Sequence, residues 1–177
     1  MNEALKRFRE QMKETGTGMF RTMMEEEYRN LEMDITITED DRKDKKTAKA
    51  AFQAAGDEYA EDIESCVDAF IEDFIWQCDC AVADLSEEGE TEAAGHVQEK
   101  KDKLFDRDIL KKMYTEKKAD KDYEKVLKDL FSKEYEENEE FLKVAATTFN
   151  QKVIDIYMNA AEGFLSSIER KLDKVFK

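Results

Sequence analysis

Not one of the 177 residues is proline. Average usage would place roughly nine in a chain of this length. Proline removes a backbone donor and clashes with the preceding helical turn, so its absence leaves helices free to run long. Glycine, the other residue that weakens helix interiors, occurs six times. A sheet-rich or loop-rich fold needs both residues at its turns. The expectation is therefore an all-α protein.

Hydrophobic spacing supports this. Phe52, Ala55, Tyr59, Ile63, Cys66, Phe70, Phe74, Cys78, Ala81 and Leu85 advance by three or four residues at each step. That is the apolar stripe of one long helix. Leu142, Ala145, Phe149, Val153, Ile156, Ala160, Phe164, Ile168, Leu172 and Val175 form a second stripe of equal length. Two matching stripes predict two long helices packed side by side. Shorter helices are expected over 2–15, over 19–33, over 96–118 and from Asp120 through Leu130. Gly16-Thr17-Gly18 reads as a turn or hinge, 34–38 as an extended connector, and 86–95 as a loop. Thr38 or Asp40 is expected to cap the first long helix. The predicted architecture is an elongated helical bundle of about five helices. It forms one helical domain over 1–177, with an N-terminal helical arm over 1–38 and the main bundle over 39–177.

No run of residues approaches the ~20 apolar positions that a membrane span requires. The N-terminal stretch is charged every few residues and lacks the apolar core of a secretory signal. Cys66, Cys78 and Cys80 are odd in number and suit a reducing compartment. A cytoplasmic protein without membrane contact is expected.

Motifs for catalysis and metal binding are missing. His96 is the only histidine, so di-iron sites built on paired Glu-x-x-His motifs are excluded. It falls in the expected loop and reads as an ordinary surface histidine. Cys78 and Cys80 point to nearly opposite sides of a helix, and the usual zinc spacing is absent. Cys66 and Cys78 lie on the apolar stripe and read as buried small hydrophobes. There is no glycine-rich phosphate loop and no calcium-loop spacing. No catalytic residue, metal or cofactor is expected, and the chain reads as a non-enzyme.

The positive signal is charge. The net charge is −15, and residues 50–99 carry all of it: fifteen acids with no Lys or Arg. Within that segment Asp57, Glu61, Glu64, Asp68, Glu72 and Asp79 follow a helical line roughly opposite the apolar stripe. Like charges at i,i+4 cost a few tenths of a kcal/mol each. A stripe of this kind is expected to face a basic partner. Two ordinary roles compete with that one. The stripe is a solvated face, or it is neutralised by Lys100, Lys101, Lys103, Arg107, Lys111 and Lys112 on the next helix. Trp76 falls between the apolar and acidic faces. It reads as the rim of the core, the more ordinary role, or as an interface anchor.

The expected function is non-catalytic binding to a basic protein surface. One form of it is a nucleic-acid mimic that inhibits a nucleic-acid-handling enzyme, as counter-defence proteins of phage or mobile elements do. No direct nucleic-acid contact is expected from so acidic a chain. The alternative is a structural or assembly subunit that pairs through its long apolar faces, with a partner helix or a second copy.

Overall fold

The computed structural model describes residues 2–105, 118–132 and 135–177, with the backbone alone for 118–120. Every regular element among them is helical, and the bundle is built around two long helices. We number the helices α1 (residues 3–28), α2 (Glu39–Arg42), α3 (Lys45–Glu87), α4 (Thr91–Lys100), α5 (Lys118–Leu130) and α6 (Glu139–Val175). At about 1.5 Å per residue, α3 is roughly 64 Å long.

The long helices run parallel. Phe52 packs on Phe149, Tyr59 on Tyr157 and Phe70 on Phe164, with ring centroids 5.4, 5.8 and 6.3 Å apart. Both sets of numbers rise together, which fixes the direction. Each such pair adds roughly 0.5–1.5 kcal/mol beyond the area it buries. The other two rows run the opposite way. Along α1, Phe8 meets Phe176, Phe20 stacks on Phe70, and the Tyr28 carbonyl accepts from Tyr59 Oη. Along the returning segment, Phe105 meets Phe74 and Phe131 meets Phe52. One cluster of buried side chains takes in residues from Ala4 to Phe176.

The predicted stripe of α3 is buried throughout, except at Cys66. That thiol is half-buried, and Val67 takes the interior position. In α6 the buried line shifts by one residue midway. Tyr157 and Ala161 are interior, while Ile156 and Ala160 are half-buried. The reason is that α6 packs against α3 and α1 together, so its apolar face is wider than a single stripe.

Several expected boundaries are corrected. Gly16-Thr17-Gly18 is not a turn. Residues 3–28 form one rod, α-helical over Glu3–Gln11 and Met19–Met23 and π-helical over Met12–Gly18 and Met24–Tyr28. Gly16 is there for closeness: a Cβ on it would lie 2.7 Å from Phe74 Cε2. The predicted second helix over 19–33 ends at Tyr28. Residues 31–38 form no helix and carry no strand pairing among the described residues, so the connector expected over 34–38 begins three residues earlier. Asn150 Oδ1 ties them to α6 by accepting from the Met33 amide at 2.8 Å.

Thr38 does cap a helix, but it is the short α2. There it forms a capping box with Asp41, whose carboxyl is held below the usual range by the Thr38 backbone amide. The long α3 is capped by Asp44 instead.

The expected loop over 86–95 contracts to three residues. Gly89 has φ +82, Glu90 N–H donates to the Leu85 carbonyl at 2.8 Å, and Gly89 N–H donates to the Ser86 carbonyl at 3.2 Å. This is a Schellman cap, which stops α3 and turns the chain at once. Helix α4 starts at Thr91 and ends at Lys100, followed by a 3-10 turn over Lys101–Leu104. The helix expected over 96–118 is therefore broken at 101–105, where Phe105 is extended, and 106–117 lie outside the described residues. Asp120 falls inside α5 rather than capping it. Asn138 caps α6, its side chain accepting from Phe141 N–H at 2.7 Å.

Candidate functional site

The acidic line of α3 falls where the sequence places it, on the side turned away from the core. Asp57, Glu61, Asp68, Glu72 and Asp79 are exposed and Glu64 is half-buried. Carboxylates three or four residues apart rise by about 5–6 Å along the axis.

The two ends of the line are tied down internally. Asp57 accepts from the hydroxyl of buried Tyr123 on α5. Asp79 pairs with Lys101, whose side chain is only 12% exposed. The centre differs. Among the described residues, no ion pair reaches Glu61, Glu64, Asp68 or Glu72. Of the lysines expected to neutralise the line, Lys100 and Lys103 make no such pair and Lys101 reaches Asp79 alone. Arg107, Lys111 and Lys112 lie outside the described residues.

Acids elsewhere in the bundle are treated differently. Four on α6 are matched by cations of α1 and by Arg29, the residue that follows it. Lys13 pairs with Asp173 at 2.6 Å and Arg29 with Asp155 at 2.9 Å. Arg21 pairs with Glu162 at 2.7 Å and with Glu169. Hydrogen bonds to both carboxylates raise the Arg21 pKa further above its already high value. Lys13, Arg21 and Arg29 are thus taken up on α6, while Arg7 pairs with Glu88 just past the end of α3.

Trp76 is 64% exposed. The core-rim expectation is overturned, because most of the side chain is open to solvent. His96 is also corrected. It lies in α4, half-buried, with Nε2–H donating to the Val175 carbonyl at 2.9 Å and its ring 5.5 Å from Phe176. It pins the end of α6.

The three cysteines are free thiols. Burial pushes Cys78 up to about 12. Burial also raises Cys66, against a hydrogen bond from the Tyr28 hydroxyl that lowers it. That same bond pushes Tyr28 up to about 12. Among the described residues, no group of three or more His, Cys, Asp or Glu side chains is placed to hold a metal ion. No helix among them is long and apolar enough to cross a membrane.

Sequence reasoning missed one feature, a groove beside Tyr28 and Cys66 at the end of α1. Its two sides are distant in sequence, so no local pattern marks it. No protein-family model, no curated protein and no solved structure matches this chain.

Proposed function

We propose that this protein is a non-catalytic binding protein that engages a basic protein surface through the acidic face of α3. The observation that carries the reading is the unpaired centre of the line. Glu61, Glu64, Asp68 and Glu72 stand together without an ion partner among the described residues, while four acids of α6 are matched by Lys13, Arg21 and Arg29. A helix that holds like charges at successive turns gives up stability, and binding a cationic surface recovers it.

The spacing also suits one class of basic surface. Phosphates along a nucleic-acid strand advance by about 3.4 Å of axial rise, with more along the backbone itself. A straight rod of carboxylates at comparable intervals fits a groove that otherwise holds a phosphate backbone. In this reading the protein occupies that groove in a nucleic-acid-handling enzyme and blocks it. The assembly reading has less support, because the two apolar stripes face each other within the chain and are spent on its own core.

The test uses the protein as bait in extracts of its source cell, beside the variant Glu61→Gln/Glu64→Gln/Asp68→Asn. The wild type should retain a basic, nucleic-acid-binding protein at low salt, and added DNA or high salt should release it. The variant should retain much less. Equal capture by both baits would remove the basis of the reading.

A further inference from the structure

Four large apolar side chains stand exposed among the described residues: Met19, Leu31, Trp76 and Val144. Leu31 lies on the seam between α1 and α3, and Met19 and Trp76 share helical lines with residues of that seam. Near the end of α1 this seam opens into a groove of about 460 Å³ between Leu31, Glu27 and Tyr28 on one side and Asp62, Ser65 and Cys66 on the other. The Tyr28 hydroxyl donates to Cys66 Sγ there.

On α3, Asp62, Ala69 and Trp76 are seven residues apart and so follow one line along the helix. Trp76 stands about 21 Å from Asp62 along the axis. On α1, Thr15, Met19, Met23 and Glu27 form a row at four-residue steps. One end of that row is fixed to α3 by Thr15 Oγ1 donating to Gln77 Oε1 at 3.3 Å. The other end, Glu27, shares the groove with Asp62. Met19 stands in the row between them.

The charge along the seam is of one sign. Residues 15–31 hold two cations, Arg21 and Arg29. Arg21 is held by Glu162 and Glu169, and Arg29 by Glu25 and Asp155. Past Lys49, α3 has no Lys or Arg at all, and the seam carries Glu27, Asp62 and Asp73. Apolar knobs spaced over several helical turns in an acidic field are complementary to one kind of ligand, a helix with an apolar side and a cationic side.

We propose that the α1–α3 seam is the docking surface for a cationic amphipathic helix of the basic partner. Its apolar side packs on Leu31, Met19 and Trp76, and its Lys or Arg side chains reach Glu27 and Asp62. The proposal rests on the reading above that the partner is basic, but it uses other side chains. Asp62 and Glu64 are two residues apart, which sets them about 160° apart around α3. Trp76 stands one turn beyond Glu72, so the seam borders the stripe while its groove residue Asp62 faces another way.

Trp76 is the only tryptophan, so its emission reports directly on the seam. The probe is a synthetic peptide of Leu and Lys alone, about 18 residues long to span the seam and patterned with one apolar side. A scrambled peptide of the same composition is the control. The patterned peptide should bind and shift Trp76 emission to the blue, and the scrambled one should bind weakly without a shift. Met19→Ser/Leu31→Ser should weaken patterned binding roughly tenfold. Both positions are exposed, so the fold should survive, and circular dichroism checks that. Glu61→Gln/Glu64→Gln/Asp68→Asn, which keeps every apolar knob, should weaken patterned binding far less than Met19→Ser/Leu31→Ser and leave the blue shift of Trp76 in the bound state, whatever it does to partner capture. Equal binding of the scrambled peptide, or unchanged binding in the Met19/Leu31 variant, would overturn the proposal. So would a Trp76 shift that grows with protein concentration alone, since a second copy would then be the occupant.

Discussion

Glycine has three different roles here, and each makes its own prediction. Gly16 lets α1 close onto Phe74, Gly89 supplies a left-handed backbone, and Gly95 meets nothing within 4 Å. Gly16→Ala forces overpacking and should cost about 1–3 kcal/mol. Gly95→Ala should instead stabilise by about 0.4–1 kcal/mol, by restricting the unfolded chain. Urea denaturation of the two variants measures both, and shifts of the same sign would contradict these roles. The thiols differ in the same residue-specific way. Cys78 is fully buried and its pKa is pushed up to about 12, so it should resist a thiol reagent in the folded protein. Cys66 and Cys80 are both half-buried. Burial holds Cys66 in its less reactive protonated form, so Cys80 should label first, Cys66 next and Cys78 last. Labelling of Cys78 as fast as Cys80 would show that α3 is phased differently.

At the scale of elements, charge stabilises one helix pair and strains another. Arg21 bridges α1 to Glu162 and Glu169 of α6 with its side chain 32% exposed. Arg21→Ala should lower stability by about 1 kcal/mol. The acidic line of α3 should respond with the opposite sign. Glu61→Gln/Glu64→Gln/Asp68→Asn relieves repulsion along four successive helical steps, from Asp57 to Glu72. The gain should be on the order of 1 kcal/mol at low salt. Screening should shrink both effects as salt rises. Thermal melts of the three proteins across salt decide this. A triple variant that melts lower than wild type would mean the line is neutralised inside the fold.

The whole molecule has a directional response to alkaline pH. Tyr28 and Cys78 are each pushed up to about 12, and burial raises Tyr59 further still. In the unfolded chain these groups titrate near their ordinary values, about 8.5 for Cys and 10 for Tyr. A folded pKa above the unfolded one means the native state holds its proton more tightly. The stability this contributes is whole below the unfolded value. It is lost as pH rises from there through the folded value. The bundle should therefore lose stability progressively from about pH 8.5 upward. Ionisation of buried Tyr59 should coincide with unfolding, rather than precede it. Near-ultraviolet absorbance followed beside circular dichroism checks this, and full tyrosine ionisation in a still-folded protein would refute it.

Local spacing determined the helical class, the two long matching stripes and the line of acids on α3, but not that the long helices run parallel. Helical period is a property of neighbours three and four residues apart, so it survives in the sequence alone. Where helices end was only half legible. Glycine at Gly16 and Gly95 looks like a break in sequence, yet one is a contact with Phe74 and the other an open helical position. Only Gly89 turns the chain, because only there do the Leu85 and Ser86 carbonyls receive the capping bonds. Tertiary structure alone decided which side of each stripe is innermost. Val67 displaces Cys66 and Tyr157 displaces Ile156, because each long helix meets more than one neighbour. It also decided the exposure of Trp76 and the opening of the groove beside Tyr28. The pairing of charges belongs to the same class. Arg21, Arg29 and Lys13 look free in the sequence, but the antiparallel course of α1 delivers them to the acids of α6. Ion pairing depends on which surfaces meet in space, and chain order carries no record of that.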